Sequence, residues 1–402
     1  LHVYGACLGA PGLAPLGSLW HWGLLQEALT MSRAVDIAIL GGGCAGLSLA
    51  YRMIGSGRDV TVIEPRASYT DDRAWSFWHM APHPFDPCII GRWSRWRVSA
   101  SGNMAERSAD GLSYVTVSAG KYYEMCSSAI QRSNDVNLIL GTRAEIQDAH
   151  DDGVTLTLSG DTDTTLHAKH VIDTRPLDGT PRYGQWFVGH EVETKANAFD
   201  PDVCDLMSFG DGRRGGIDFT YVLPFTNRRA LVEATVFADT APSEKRLADM
   251  LDTALSARTG GRHTVIRREG GMVPMDAAFT DASTPSRVTG FGVRGGAARP
   301  STGYAYMRIQ ERAFNLAQRL RAGLSPDALQ RDDQITQAMD RLFLNVLRHN
   351  PQRGPELFHH QFERASEHRL ERFLSGSTAW SDRLAVMSAL PTGLFLSHLV
   401  RP

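Results

Sequence analysis

The segment most informative about the fold lies near the beginning of the chain. It reads Val35-Asp-Ile-Ala-Ile-Leu-Gly-Gly-Gly-Cys-Ala-Gly46, followed by Leu-Ser-Leu-Ala-Tyr-Arg-Met-Ile54. Its first six residues predict a short buried strand, and residues 47–54 carry apolar side chains at helical spacing. Glycines follow and end the helix, after which Val-Thr-Val-Ile at 60–63 predicts a second strand. This order predicts two parallel strands joined by a right-handed crossover.

Three glycines of this segment, Gly41, Gly43 and Gly46, satisfy the pattern G-x-G-x-x-G between a strand and a helix. In dinucleotide-binding units the first glycine forms a tight turn, the second lets the backbone approach a pyrophosphate, and the third lets helix and strand pack closely. Glu64 ends the second strand, where its carboxylate can accept hydrogen bonds from ribose hydroxyls. The segment therefore predicts FAD or NAD rather than NADP; the alternative is a glycine-rich turn without a ligand.

A second glycine-rich passage lies far downstream, at residues 290–304, and reads Gly-Phe-Gly-Val-Arg-Gly-Gly-Ala-Ala-Arg-Pro-Ser-Thr-Gly-Tyr. It follows a strand-like stretch and precedes a helical pattern. Free backbone N–H groups in such a passage can contact the ribityl and isoalloxazine half of FAD, and Pro300 fixes the turn. The passage favours FAD over NAD, with a plain structural loop as the alternative.

The composition is that of an ordinary globular protein. The 402 residues include 42 Lys and Arg against 44 Asp and Glu, with 42% hydrophobic and 21% charged residues. This mixture excludes a disordered chain, and a formal net charge of −2 excludes a strongly basic nucleic-acid binder. Five scattered cysteines without a C-x-x-C pair argue against a disulfide framework. No stretch reaches the roughly 18 apolar residues of a membrane-spanning helix.

Residues 1–30 differ in character from the rest of the chain. They are rich in Gly, Leu, Ala and Pro, carry almost no charge and begin with Leu. They also lack the basic start of a signal peptide. We expect Met31 to be the biological start and residues 1–30 to be a non-native or disordered extension; the alternative is a targeting segment.

Glu233 is the candidate acid–base residue. It lies in an apolar, strand-like run in which alternation places Leu231 and Thr235 on the same face as Glu233. A carboxyl in apolar surroundings is partly desolvated, which raises its pKa and keeps it protonated and able to donate. The alternative is an edge strand on which this Glu is simply solvated.

The histidines predict no metal site. His79 and His83 are four residues apart, but the prolines at 82 and 84 argue against a helix that would align them. His167 and His170 lie on a strand-like segment and would face opposite sides. Ordinary structural roles are therefore expected, without a bound metal.

Eight motifs taken together resemble the bacterial-type lycopene beta-cyclases, over residues from about 35 to 395. The first glycine pattern with Glu64 is common to two-dinucleotide-binding flavoproteins and is not specific. The others are Arg-Ala-Trp-Ser-Phe-Trp at 73–78, Val-Ile-Asp-Thr-Arg at 171–175, Gln-Trp-Phe-Val-Gly at 185–189, the paired stretches 219–224 and 230–235, Glu-Gly-Gly-Met-Val-Pro at 269–274, the passage 292–304, and Arg-Phe-Leu-Ser-Gly at 372–376. Ala234 stands where relatives often carry a second acid, a departure that weighs against a two-carboxylate mechanism.

The resemblance implies a lycopene beta-cyclase, an isomerase of the intramolecular lyase class. Each ψ-end of lycopene would close to a β-ionone ring, giving γ-carotene and β-carotene, by protonation, cyclisation of the cation and loss of a proton. Reduced FAD would take part without net redox, either stabilising the cation or sharing in the proton step, and NAD(P)H would reduce it. Glu233 is the implied catalytic residue. The implied cofactor-binding residues are Gly41, Gly43, Gly46, Glu64, Arg73, Asp173, Gly292, Gly295, Gly296, Pro300 and Gly303.

The implied fold class is α/β, with a Rossmann-type FAD-binding domain of the flavoprotein hydroxylase kind, an inserted antiparallel β-sheet substrate domain and a helical C-terminal region. We expect the FAD-binding domain to comprise residues 31–100, 160–180 and 285–322. The substrate domain is expected at 101–159 and 181–284, and the helical region at 323–402.

The resemblance also implies partners and a location. The substrates would be lycopene and other linear carotenes, which dissolve in the bilayer, so the protein would be cytoplasmic and peripherally associated with a membrane surface. Other carotenoid enzymes are further expected partners, and nucleic acid is not. Residues 389–400 are apolar and could form an interfacial patch or pack in the core.

Two other classes of function remain as alternatives. A redox flavoprotein of the same fold, a monooxygenase or a prenyl or polyene reductase, usually has Gly-Asp in the second flavin motif, whereas residues 292–296 contain no Asp. A non-catalytic FAD-binding protein is the other alternative, and Glu233 in its apolar run argues against it.

Overall fold

The first sheet of the structure is built on the glycine segment. The computed structural model describes residues 33–160, 164–177, 179–210, 216–276, 285–326, 332–366 and 368–399, so the expectation for residues 1–30 lies outside the described residues. Strand β1 (Arg33–Leu40) leads through the glycine turn into helix α1 (Cys44–Met53), and β2 (Val60–Ile63) returns parallel to β1. The predicted strand–turn–helix–strand unit is confirmed.

The first sheet extends this unit on both sides in the order β8-β2-β1-β11-β10-β9, with β17 beside the end of β11. Strands β1, β2, β8, β11 and β17 are parallel, whereas β9 and β10 form an antiparallel extension. The parallel strands end at the same edge, which in open α/β sheets is the ligand-binding edge. The added strands are β8 (Val136–Ile139), β9 (Arg143–His150), β10 (Gly153–Ser159), β11 (Thr164–Asp173) and β17 (Val288–Gly290).

Helices cover one face of this sheet. Ile37 and Ile39 of β1 share one buried cluster with apolar residues of α1, of α2 (Ala119–Gln131) and of α4 (Tyr306–Arg321). Val35, Ala38 and Leu40 of the same strand belong to a second cluster with residues of β10. Both faces of β1 are therefore buried, which is why its sequence is almost continuously apolar.

Among the described residues, the second sheet has seven strands in the order β16-β12-β15-β14-β13-β5-β6, antiparallel except for the pair β5 and β13. Helix α3 (Glu244–Thr259) packs on one face of it through Leu251 and Leu255, against Val232 and Ala234. The strands are β5 (Arg95–Ala100), β6 (Asn103–Ser108), β12 (Gly184–Glu193), β13 (Val203–Phe209), β14 (Ile217–Pro224), β15 (Arg229–Ala238) and β16 (Thr264–Pro274).

A small third sheet and the C-terminal helices complete the described structure. The third sheet has the order β3-β7-β4, from β3 (Ala74–Trp78), β4 (Ile89–Trp93) and β7 (Tyr114–Ser118). Phe343 and Phe358 of the C-terminal helices pack against Phe219 and Phe237 on the face of the second sheet that α3 leaves free. These helices are α5 (Gln334–His349), α6 (Gly354–Arg364), α7 (Arg369–Leu374), α8 (Trp380–Ala389) and α9 (Thr392–Leu399).

Strand pairing divides the chain differently from the boundaries expected from sequence. Strands β8, β9 and β10, within the stretch 101–159 expected in the substrate domain, belong to the first sheet. Strand β5, within the stretch 31–100 expected in the FAD-binding domain, belongs to the second sheet beside β13. Alternation along a strand shows that it has two faces, but it does not show which sheet the strand joins.

Candidate active site

One cavity of about 960 Å³ runs from the glycine turn of the first sheet to the C-terminal helices. Gly41 and Glu64 line it at one end, Glu233 and Glu269 in the second sheet, and Phe343 and Phe395 at the helical end. The volume is near the upper end of the range for small-molecule sites. Six residues predicted for the site line it, namely Gly41, Gly43, Glu64, Arg73, Glu233 and Gly303.

The first glycine turn has the geometry that a bound pyrophosphate requires. A Cβ added to Gly46 would lie 1.9 Å from the carbonyl oxygen of Gly41, so helix and turn pack too closely for a side chain there. A Cβ added to Gly43 would meet nothing within 4 Å among the described atoms, so the turn is open at this point. Gly43 is also the N-cap of α1 and, as a glycine, places no side chain over the first N–H groups of the helix. The start of α1 can therefore approach phosphate closely.

Glu64 is buried behind this turn as a carboxylate. Its side chain accepts hydrogen bonds from the Gly42 N–H at 2.6 Å and from the Arg66 Nε at 2.7 Å. Burial raises the pKa of Glu64, but the hydrogen bonds from Arg66 and Gly42 outweigh burial and hold that pKa below its ordinary value. An ionised Glu64 in the cavity wall can accept hydrogen bonds from ribose hydroxyls.

The second glycine passage folds against the first. A Cβ added to Gly292, which has φ +69°, would lie 2.5 Å from the Cβ of Ala45 in α1. Of the predicted cofactor-binding residues in this passage, Gly303 lines the cavity, whereas Gly292, Gly295, Gly296 and Pro300 are not part of its lining. The passage brings the two glycine-rich segments together, as an FAD site needs.

Arg73 and Asp173 occupy different positions relative to the cavity. Arg73 lines it and forms an ion pair of 2.8 Å with Asp72. Asp173 lies behind the lining, as Gly46 does, and accepts hydrogen bonds from the backbone N–H of Arg175 at 3.0 Å and from its Nη2 at 2.8 Å. Since Arg175 lines the cavity, Asp173 holds the Arg175 side chain at the cavity wall, and a contact of Asp173 with the cofactor stays a prediction.

Glu233 lies on β15, which is paired on both sides, by β12 and by β14. Its residue is 8% exposed and it lines the cavity, so the alternative of a solvated edge strand is wrong. The hydroxyl of Thr235 donates to its Oε1 at 2.7 Å. Burial and the neighbouring Glu269 raise the pKa of Glu233 to about 8, which keeps the carboxyl protonated at neutral pH.

Glu269 is the site residue that sequence reasoning missed. It lies on β16, lines the same cavity, and has a side chain that is 4% exposed. It forms an ion pair with Arg267, which also binds Glu191 at 3.0 Å. The sequence signal was a charged residue followed by two glycines inside a strand, but the motif alone did not show that only β12 separates this strand from that of Glu233.

A turn brings His79, His83 and Asp86 together as a group of three potential metal ligands, although they share no helix. The backbone N–H of Phe85 donates to the Nδ1 of His83 at 3.1 Å. The proton of neutral His83 must then sit on Nε2, so that atom cannot ligate a metal without a further deprotonation. This hydrogen bond favours a structural role, and the expectation of no bound metal stays a prediction.

The fold is shared with solved flavoproteins, among them a flavin-dependent monooxygenase. The flavoprotein/dehydrogenase from Cytophaga hutchinsonii is similar with a TM-score of 0.62 at 12% identity, covering 91% of this chain and 99% of that one. The geranylgeranyl bacteriochlorophyll reductase-like protein from Thermoplasma acidophilum has a TM-score of 0.61 at 12% identity, covering 92% and 97%. The flavin-dependent monooxygenase PieE, solved with FAD and substrate, has a TM-score of 0.58 at 14% identity, covering 89% and 71%.

The chain belongs to the lycopene cyclase protein family, whose model matches residues 36–398. It is 26% identical over 391 residues to the lycopene beta-cyclase of Paracoccus sp., covering 89% of this chain and 94% of that protein. It is 25% identical over 302 residues to the chloroplastic lycopene beta cyclase of Arabidopsis thaliana, covering 69% of this chain and 58% of that protein. The resemblance and the fold class expected from the sequence are confirmed.

Proposed function

We propose that this protein is a lycopene beta-cyclase, which closes the ψ-ends of lycopene and other linear carotenes to β-ionone rings by acid–base chemistry. The observation that carries the proposal is Glu233, a buried carboxyl with a pKa raised to about 8. It lies between the glycine turn and the apolar part of the same cavity, which is lined by residues such as Phe219, Phe343 and Phe395 and is called the apolar chamber below. A protonated acid beside apolar walls is what protonation of an alkene requires.

The side chains of this cavity support each step that the chain itself would perform. Glu233 donates its proton to the terminal double bond, and the hydroxyl of Thr235 at 2.7 Å orients the carboxyl. Aromatic rings can stabilise the resulting cation with their faces and exclude water that would trap it. The aromatic residues of the cavity wall include Phe187, Phe219, Tyr221, Phe237, Tyr304, Phe343 and Phe358.

The two glycine-rich segments and Glu64 fit FAD, because the turn is open at Gly43 and Glu64 is held ionised behind it. When bound in its reduced form, FAD supplies an electron-rich ring, and NAD(P)H is the proposed reductant. The proposed contacts are the backbone of Gly41 and Gly43 with the phosphates and Glu64 with the ribose. Arg73, with its cationic side chain in the same wall, would add positive charge for the anionic cofactor.

A membrane surface is the proposed source of the substrate. Within the described residues, no helix is long and apolar enough to cross a membrane. Trp380, Leu384 and Met387 lie on one face of α8 and are each more than half exposed, as is Leu396 on α9. Met387 and Leu396 also line the cavity, so this apolar surface is continuous with the chamber. An amphipathic surface of this kind can dock at the headgroup region and admit a hydrocarbon directly.

Expression in a bacterium that accumulates lycopene tests the activity. Cyclic carotenes should appear in the pigment extract, and Glu233→Gln should abolish them while the protein still carries FAD. Glu193→Gln, an exposed residue at the end of β12, is the matched control and should cyclise as the wild type does. Unchanged lycopene with a folded, FAD-loaded wild type would refute the proposal.

Measuring NAD(P)H oxidation against product formation distinguishes a cyclase from a redox flavoprotein. A cyclase moves no net electrons, so NAD(P)H oxidation should not increase in proportion to the rings formed. Consumption of one NAD(P)H per product molecule would instead support a monooxygenase or reductase.

Vesicle sedimentation tests the docking surface separately. The double variant Leu384→Ser and Met387→Ser should bind vesicles more weakly than the wild type. Equal binding would remove this face of α8 from the proposed role.

A further inference from the structure

The register of the second sheet brings two carboxyl groups together over one glycine. In β12, Gly189 pairs with Glu233 of β15 on one side and with Glu269 of β16 on the other. A Cβ added to Gly189 would lie 3.2 Å from the Cγ of Glu269 and 3.5 Å from the Cβ of Glu233. Atoms of both acidic side chains therefore lie next to Gly189 on the same face of the sheet, and both residues line the cavity.

The two carboxyl groups have different partners. Within the described residues, the neutral hydroxyl of Thr235 donates a hydrogen bond to Glu233. Glu269 forms an ion pair with Arg267, which is itself held by Glu191 at 3.0 Å. Arg229 binds the other oxygen of Glu191 at 2.6 Å, so the charged chain extends from the cavity toward the surface.

These partners decide which carboxyl keeps its proton. Burial and the neighbouring Glu191 raise the pKa of Glu269 above its ordinary value, and the positive charges of Arg267 and Arg73 reduce that rise. Among the described residues, no such cation offsets burial at Glu233. When the pair holds one proton, the proton therefore stays on Glu233 and Glu269 is the carboxylate.

We propose that Glu269 is the base of the cyclisation: its carboxylate accepts the proton that the new ring loses, after Glu233 has supplied the proton that starts the reaction. This inference rests on the proposed lycopene cyclase function. It also explains why position 234 can be an alanine. The second carboxyl comes from β16, two strands away from β15 in the sheet, and not from the residue next to Glu233.

The steps balance in protons and electrons. The O–H bond of Glu233 breaks and a C–H bond forms at the terminal double bond, leaving a tertiary cation. The neighbouring alkene closes a C–C bond onto that cation, and the ring cation then loses a proton to the carboxylate of Glu269. One proton enters the substrate and one leaves, no electrons are transferred, and return of the proton from Glu269 to Glu233 resets the pair for the next ring.

Product identity distinguishes a base from a merely structural residue. Without its base the ring cation must lose a different proton or capture water. Purified, FAD-loaded Glu269→Gln with lycopene in liposomes and NADPH should therefore be slower by about 10²- to 10⁴-fold. Its residual products should include rings with a displaced double bond or a hydroxyl group, resolved by chromatography and mass spectrometry.

Glu191→Gln is the matched control, since it removes a buried carboxylate that shares Arg267 but does not line the cavity. It should give β-rings as its products, whatever its stability. Glu269→Gln that yields β-rings alone, at a rate within about threefold of the wild type, would overturn the inference.

Two further measurements keep the inference testable if Glu269→Gln does not fold. Glu269→Asp keeps the charge one methylene shorter and should cyclise at least about tenfold more slowly, still to β-rings; a wild-type rate for it would overturn the inference. In the infrared spectrum at neutral pH, the band of a protonated carboxyl should vanish in Glu233→Gln, and its persistence there would also overturn the assignment. If the wild type itself makes no rings, the proposed function fails; if it makes rings and Glu269 is dispensable, this inference fails alone.

Discussion

Replacing Glu233 by Gln should stabilise the folded protein relative to the wild type, and this difference should grow as the pH rises. The ordinary pKa of this group is 4.5, and in the folded protein it is about 8. The folded state therefore binds the proton more strongly than the unfolded state does. The stability that this proton contributes is complete below about pH 4.5 and is lost as the pH rises to about 8.

The size of the effect follows from the same two pKa values. Each pH unit between them costs about 1.4 kcal/mol, so the wild type loses on the order of 5 kcal/mol across the window. Gln has nearly the same shape and does not titrate, so the variant avoids this loss. Since Glu233 and Glu269 titrate as a pair, the pH window belongs to both groups.

Urea unfolding followed by tryptophan fluorescence measures this difference. The free energy of unfolding of Glu233→Gln minus that of the wild type should grow between about pH 5 and pH 8 and level off above it. Glu193→Gln, which changes an exposed carboxyl, should show no such growth. A difference that is independent of pH would refute the claim that Glu233 is buried and protonated.

Three further predictions concern the cavity and the residues that surround it. The cyclisation rate should fall as the pH rises through about 8, because Glu233 loses the proton it must donate; a rate that stays constant to about pH 9 would contradict this role. Gly46→Ala should purify with little FAD, measured by flavin absorbance, since its Cβ would lie 1.9 Å from the Gly41 carbonyl oxygen; full occupancy would show that helix and turn can separate. Arg299→Leu should lower the free energy of unfolding by about 3–5 kcal/mol, because the residue is 1% exposed and its loss leaves the charge of Asp340 buried without its cation. Adding Asp340→Leu should restore part of that loss in urea unfolding, and no recovery would contradict the assigned cause.

The glycine turn could be predicted from the sequence because its conformation depends on residues that are close together in the chain. Gly41, Gly43 and Gly46 lie within six residues of one another, and their roles depend on backbone geometry and helix packing at one turn. Glu64 follows in the next strand, whose end meets the turn in any parallel unit of this kind. The placement of Leu231 and Thr235 on the same strand face as Glu233 is also a local property, because side chains alternate along a strand whichever strands pair with it.

The histidine cluster and the domain boundaries show where local patterns fail. The prolines near His79 correctly argued against a helix, but a turn still placed three potential ligands together. The strands β8, β9 and β10 alternate in the same way whether they extend the first sheet or the second. Neither outcome depends on spacing along the chain alone.

The residues of the chain were enough to predict the parallel unit, the FAD-type turn and Glu233 as the candidate acid, since each follows from a pattern over a few residues. The burial of Glu233 depends on the two strands that pair with β15. The partnership of Glu233 and Glu269 required the folded molecule. It depends on β15, β12 and β16 pairing in one register, with Gly189 between the two acids. It also depends on Arg267 reaching Glu269 and on the C-terminal helices closing the chamber. Register and enclosure are contacts between segments distant in the chain, and a shift of one residue in any strand would turn its side chain to the opposite face of the sheet.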